Sequence, residues 1–355
     1  MKSEIEQIES FLQDQIAPLA NKIDTQPQVL KLALQKIGDR CWLALKVAPE
    51  LGGTGLSDAD YLSLQIAMAR ASGAFTFLQT QHQSAVAKLA QSPNKSLQQE
   101  FFPDVAKGKA LIGVGFSHLR RRGVPMMQAT QTPGGYLLTG KVPWITGYDF
   151  FSQFILGATL PDGKELYGIM PLQNQSPESG GEIKLSQPME LIAMAATNTV
   201  SAEINQWFLS SDRLVAISPA GSIHASSRRN ILNHGFFALG CAYAGLDVLE
   251  AIAAKKQLGF LQESWQSLHQ EVVQQENKVI ASRLNNHYPQ QLQLRAEMIN
   301  LAQRCSLAAV IASGGASNYF NSSAGRIYRE ALLFSVSGQT ADAMQASLNN
   351  LLRLG

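Results

Sequence analysis

The chain has 355 residues, 45% of them hydrophobic and 16% charged, with a formal net charge of +2. Such a composition fits a soluble globular protein with ample core, organised as two or three domains, and gives no electrostatic reason to expect a nucleic-acid partner. Cys41, Cys241 and Cys305 lie far apart in apolar surroundings, which fits buried thiols in a reducing compartment better than disulfides or a metal site. The chain opens on a polar, acidic segment and has no apolar run of membrane-spanning length, so the cytoplasm is the expected compartment.

The first third is helical in pattern. Ile5, Ile8, Phe11, Leu12, Ile16 and Leu19 recur at steps of three and four, and Val29 to Ile37 forms a second amphipathic segment. The run Ala48 to Asp58 holds Gly52, Gly53 and Gly55 and reads as a structural turn, with Ser57 or Asp58 placed to cap a helix through Tyr61 to Ala71. Its glycine spacing is that of neither a P-loop nor a dinucleotide fingerprint. Further helices are predicted over about 74–91 and 96–106. Arg120-Arg121-Arg122 is the one dense basic cluster and reads as a solvated loop.

The period then shortens. From Leu111 through Leu209 the runs are brief, β-branched or aromatic, and separated by turns such as Pro161-Asp162-Gly163. Gly134-Gly135 supplies a hairpin turn, and Gly140 and Pro143 bend the arm that leads to Trp144-Ile145-Thr146. Residues two apart on a strand share a face, so Trp144 and Thr146 are expected to address one planar ligand, such as an isoalloxazine ring. After Ser218-Pro219 helices return, predicted at about 225–258, 262–285, 289–313 and 324–351. The expected fold is α+β: an all-α N-terminal domain over 1–110, a central β-barrel domain over 111–218 and a C-terminal four-helix bundle over 219–355.

In that order of segments the chain resembles the acyl-CoA dehydrogenase superfamily. Pro49 to Ser57 is similar to the family's turn between N-terminal helices, and Gly135 to Lys141 with Trp144-Ile145-Thr146 is similar to its flavin-contacting hairpin. Gly115-Phe116-Ser117 falls on the first signature, while Gly314-Gly315, Arg329-Glu330-Ala331 and Thr340 keep the spacing of the last domain. The resemblance implies a flavin, FAD with FMN as the alternative, contacted by Phe116, Ser117, Trp144, Ile145, Thr146, Lys255, Lys256, Gln266 and Thr340. It also implies a homodimer or homotetramer, with Leu239, Ala242, Ala244, Ala308, Ala309 and Ala312 offering surfaces for close helix packing. A small-molecule substrate such as an acyl-CoA is implied, with an electron-transfer partner or flavin reductase; nucleic acid and membrane are not.

The departures bear on chemistry. His118 follows Ser117 where the family has an acid, and Lys255 or Lys256 stands where an arginine pairs with the flavin diphosphate, keeping the charge without the planar fork. The family's two positions for the catalytic carboxylate fall at Gly338 and at or beside Asn230, neither of which accepts a proton. His118 and His234 are the remaining candidate bases. Three readings follow: a flavin-dependent oxidoreductase acting on an acyl thioester with unusual or weak dehydrogenation, a flavin monooxygenase of the same fold, and a non-enzymatic flavin-binding member. Gly338→Glu is expected to restore an acid, provided that position 338 does not need a positive φ.

Overall fold

The structure is a computed structural model and describes residues 3–178, 180–283 and 287–352. The predicted helix end at 284–285 lies outside the described residues. The N-terminal region comprises α1 (Glu4–Phe11), continued by a wider turn at Leu12–Ile16, then α2 (Ala20–Thr25), α3 (Pro27–Gly38), α4 (Asp58–Ala71), α5 (Gly73–Ala90) and α6 (Lys95–Val105). Local chemistry sets their starts. Ser3 and Glu6 form a reciprocal capping box, Pro27 opens α3, and the side chains of Ser57, Ser72 and Asn94 cap α4, α5 and α6.

The middle of the chain forms β1 (Ile112–Gly115), β2 (Met127–Thr132), β3 (Gly135–Thr146), β4 (Gln153–Thr159), β5 (Glu165–Pro171), β6 (Glu182–Leu185), β7 (Thr199–Ser210) and β8 (Leu214–Ser218). They make one eight-stranded sheet in the order β6-β7-β3-β2-β4-β5-β8, with β1 added parallel to β4. Among the described residues the outer strands β6 and β8 of this central sheet are not paired with each other. β3 pairs with β7, with shifts in register at Leu138/Gly140 and Val142/Ile145, the two bends anticipated from Gly140 and Pro143. At Gly140, with φ of 143°, an added Cβ would lie 2.1 Å from the Met126 carbonyl, so glycine alone fits. A cluster including Leu89, Phe102, Ile112, Ile155 and Tyr167 joins α5 and α6 to the sheet.

The C-terminal region holds α7 (Ser222–Arg229), α8 (Asn233–Lys256), α9 (Gly259–Ser282), α10 (Tyr288–Ser313), α11 (Ser323–Val336) and α12 (Ala341–Leu352). Helices α8 to α11 pack as the expected bundle, and α12 lies on α10. Two expected helices are each split, at Asn230–Leu232 and at 337–340. Helix α8 corrects the reading that no segment reaches membrane-spanning length: by length and composition it does. It is instead the bundle's central helix, in contact with α4, α9, α10 and α11. Gly245 lets it approach α10, since a Cβ there would sit 2.8 Å from the Cys305 backbone.

Leu239, Ala242, Ala244, Ala309 and Ala312, expected at a subunit contact, are buried within the chain's own core. The large apolar side chains left exposed on the bundle are others, among them Ile311, Tyr319, Phe320, Leu332 and Val336. Cys241 and Cys305 are buried free thiols, but Cys41 is exposed. It follows α3 in a turn where its φ is 60°.

Candidate functional site

The two helix breaks meet at the floor of a cavity of about 510 Å³, walled by α5, the turn after β1, and α7. Arg295, 2% exposed on α10, fixes both breaks. Its guanidinium donates to the Ile231 carbonyl at 3.3 Å in the first, and to the Ser337 and Gly338 carbonyls at 2.7 and 3.2 Å in the second. Carbonyls freed where a helix stops need such donors, and one buried fork serves both. In the sequence this role is marked only by a lone arginine amid Leu294, Ala296, Met298 and Ile299.

His234 lies in the first turn of α8, directly over Gly338. Gly338 has φ of 60°, and a Cβ built there would stand 2.2 Å from His234 Cδ2 and 2.3 Å from Nε2. The imidazole thus occupies the space that a side chain at 338 would enter. The expectation that Gly338→Glu restores an acid is thereby corrected: the backbone favours glycine and the volume is already filled. Ser337 Oγ lies 3.0 Å from His234 Nδ1. Burial first, then the charges of Arg295 and Arg120, push His234 down to about 3, so it is neutral at pH 7. If Nδ1–H donates to Ser337, the Nε2 lone pair is free to accept a proton.

His118 has a different setting. It is buried, its Nε2 lies 2.9 Å from the Gly157 carbonyl, and burial holds it down to about 4. It lines a separate, smaller cavity with Arg121 and His224 rather than the one beneath Gly338. Asn230 does line the main cavity, and its amide donates back to the Ser226 carbonyl at 3.0 Å.

Arg120 departs from the solvated-loop reading. It turns inward, its Nε donating to Ser227 Oγ at 2.9 Å, and lines the main cavity, while Arg121 and Arg122 stay exposed. Lys88 on α5 reaches the same space with Nζ 3.3 Å from the centre of the Tyr167 ring, which in turn meets Phe116 edge-on.

Of the residues expected at a flavin, Phe116 alone lines this cavity. Trp144 stands 47% exposed on the sheet, whereas Ile145 and Thr146 are buried. The irregularity in the β3–β7 register between Val142 and Ile145 lies just before these residues. Thr146 Oγ1 pairs with Thr199 Oγ1 at 2.9 Å, and since that bond uses one of two hydroxyl protons, the pair keeps one to donate. Ser117 is exposed beside the end of β1, where Gly115 lies so close to Val142 of β3 that a Cβ would be 3.1 Å from it. An open indole and a free hydroxyl on adjoining strand ends are a donor set that fits a flavin ring. Lys255 and Gln266 are exposed near the α8–α9 turn, Lys256 donates to the Ala312 carbonyl at 2.7 Å, and Thr340 caps α12 through the Ala343 amide.

The Arg329-Glu330 pair ties the regions together. Glu330, fully buried, accepts from Arg326 at 2.6 Å and from the Gly73 amide at 3.1 Å, and Arg329 pairs with Asp24 at 2.8 Å. Asp24 also accepts from the Met194 amide at 2.9 Å, so α2, α5, α11 and the loop before β7 converge on one ionic cluster.

Comparison with known proteins agrees with this architecture. Residues 4–109 match a sequence model of the family described as "Acyl-CoA dehydrogenase, N-terminal domain". YdbM of Bacillus subtilis, whose name assigns it only provisionally to the acyl-CoA dehydrogenases, is 23% identical over 58% of this chain and 54% of its own length. The chain thus spans about half the length of that relative. The 3-(aryl)acrylate reductase of Clostridium sporogenes is 19% identical over 77% of this chain and 74% of its own. The crystal structure of an acyl-CoA dehydrogenase from Geobacillus kaustophilus superposes with a TM-score of 0.79 at 12% identity, covering 100% of this chain and 99% of that one. Helical, sheet and bundle regions in this order and the neighbours in structure give the chain the acyl-CoA dehydrogenase fold, and its residues 4–109 match that family's N-terminal domain.

Proposed function

We propose that the chain is a flavin-dependent oxidoreductase acting on an acyl thioester or a related small molecule, with His234 in the place of the superfamily's catalytic carboxylate. The observation that carries this reading is the imidazole over Gly338, a proton acceptor standing where a side chain at 338 would project. No Asp or Glu is among the described residues that line the cavity. Flavin, FAD in the first instance, would be held by Trp144, Ser117 and the Thr146–Thr199 pair, and would supply the two-electron acceptor. The rest of the work falls to this chain's own groups. His234 accepts the proton next to the thioester carbonyl, Ser337 sets its tautomer, and Arg295 holds both helix breaks so that the ring stays in place.

An imidazole held near 3 is a weak base at neutral pH, which supports slow dehydrogenation of simple acyl-CoAs. The monooxygenase reading needs no such base, and the placement of His234 favours the first. Subunit association through the exposed bundle residues and an external electron-transfer partner belong to the same proposal.

Two measurements test it. Purified protein incubated with FAD or FMN is expected to show flavin absorption after removal of excess, and a colourless protein would remove the basis of the reading. Exchange of the thioester α-proton with deuterated solvent isolates the base: His234→Gln is expected to slow it roughly 10²- to 10⁴-fold. An unchanged exchange rate would exclude His234.

A further inference from the structure

Five cationic side chains line the main cavity, Lys46, Lys88, Arg120, Arg229 and Arg295, with no carboxylate among the other described residues lining it. Lys46 has Asp58 at 2.5 Å, but among the described residues Lys88, Arg120 and Arg295 form no ion pair. Glu165, the acid whose charge reaches Lys88, is already engaged by the Tyr167 hydroxyl at 2.8 Å and the Ile223 amide at 3.1 and 3.0 Å. The most telling group is Arg295. At 2% exposed it keeps a guanidinium out of water, and among the described residues it has no counter-charge and its Nε no hydrogen-bond partner. Burying an uncompensated cation is costly, and it is made worse here by a second cation, since Arg120 acts on Arg295 against its charge. The serines of α7 add donors without charge, with Ser226 and Ser227 facing the same space.

We propose that this cavity is an oxyanion site, its ligand seated by a carboxylate or phosphate between Arg120 and Arg295. The proposal deepens the function inferred above, because it names the substrate class of the same cavity, an anionic rather than a purely aliphatic acyl compound. The anion supplies the charge that the fold withholds, and the planar guanidinium suits two-point capture of either group. Its arrival also relieves the two cationic influences that, after burial, hold His234 low, so the base strengthens once the substrate is in place.

The test is calorimetric titration of the full chain at low salt with succinate, inorganic phosphate, CoA and, as an uncharged control, succinamide. At least one anion is expected to bind, succinamide is not, and Arg120→Gln is expected to weaken the anion tenfold or more. Succinate binding assigns the site to a carboxylate carried by the acyl part. Binding of CoA or phosphate with succinate silent assigns it to a phosphate group, and either result supports the oxyanion site. Failure of every anion, or affinity indifferent to Arg120→Gln, overturns it. Arg295→Met is the sharper variant, and where its loss of backbone contacts prevents folding Arg120→Gln decides alone. Flavin absorption measured on the same samples separates the two readings: anion affinity in a protein that takes no flavin sinks the oxidoreductase proposal and leaves this one standing, and the reverse pattern does the opposite.

Discussion

Arg326 and Arg295 stand on neighbouring helices of the bundle, α11 and α10, and both are almost wholly removed from solvent, at 6% and 2% exposed. Arg326 is neutralised: it meets Glu330 at 2.6 Å and Asn21 at 2.8 Å. Arg295 is hydrogen-bonded to three carbonyls but is not neutralised by any of the described residues, and it faces a cavity. A fold that pairs one buried guanidinium can pair another. The difference teaches that a buried charge left open beside a cavity is held for something outside the chain, whereas a paired one belongs to the scaffold.

The largest effect should come from breaking the paired site. Glu330→Ala leaves Arg326 buried without its counter-charge, an outcome expected to cost roughly 3–5 kcal/mol by urea denaturation. Replacing both partners, as Arg326→Met with Glu330→Leu, should recover most of that loss. Arg295→Met leaves three carbonyls without their donor but also removes an unpaired buried cation, which offsets part of the cost, so a net loss of about 1–3 kcal/mol is expected. An Arg295 variant as damaged as Glu330→Ala would mean that Arg295 too is scaffold, and the contrast would collapse.

The buried histidines repeat the contrast and set a pH dependence. His82 is satisfied at both ring nitrogens, by the Ile112 amide at 3.0 Å and the Val105 carbonyl at 3.1 Å, and burial holds it down to about 4. Its folded pKa lies below the unfolded value near 6.5, so the unfolded state binds the extra proton between the two. Stability is therefore complete above about 6.5 and falls as the pH drops towards 4, by roughly 3 kcal/mol from His82 alone. His118 and His234 act in the same direction. Thermal midpoints between pH 7 and pH 4 check this, and His82→Gln should flatten the slope. A midpoint that rises on acidification would contradict it.

How far the sequence reaches depends on whether a local rule or a tertiary contact decides. Ser57 before an apolar period, Gly140 in a β run and the return of helical spacing after Pro219 are local, and the elements they announce are present. The breaks at Asn230 and Ser337 are not local. The stretch from Ser226 to Leu232 holds neither Gly nor Pro, and its interruption depends on Arg295, more than sixty positions away, capturing the Ile231 carbonyl. Gly338 was visible as a missing acid, but its positive φ and the imidazole above it needed three dimensions. Arg120 was visible only as one of three arginines, and its inward turn is set by Ser227 on another element. Patterning thus conveyed the scaffold and the position of the cavity's floor, and missed the charges that give the cavity its character.

The smallest effect expected is at a pair that is neither buried nor next to the cavity. Arg213 meets both oxygens of Glu100 at 2.8 and 3.0 Å, joining the turn before β8 to α6, with side chains 37% and 43% exposed. Its geometry is as good as that of Arg326 with Glu330, so geometry alone predicts a similar contribution. Solvent decides otherwise: water already solvates both groups when the pair opens, and the attraction is divided by a dielectric several times higher than in the core. A double-mutant cycle of Arg213→Ala and Glu100→Ala should give a coupling of about 0.2–1 kcal/mol at low salt, fading in 1 M sodium chloride as the Debye length shrinks to about 3 Å. A coupling comparable with the buried pair and insensitive to salt would show that pairing, not burial, sets the value of a charge in this fold, and the argument from Arg295 would lose its footing.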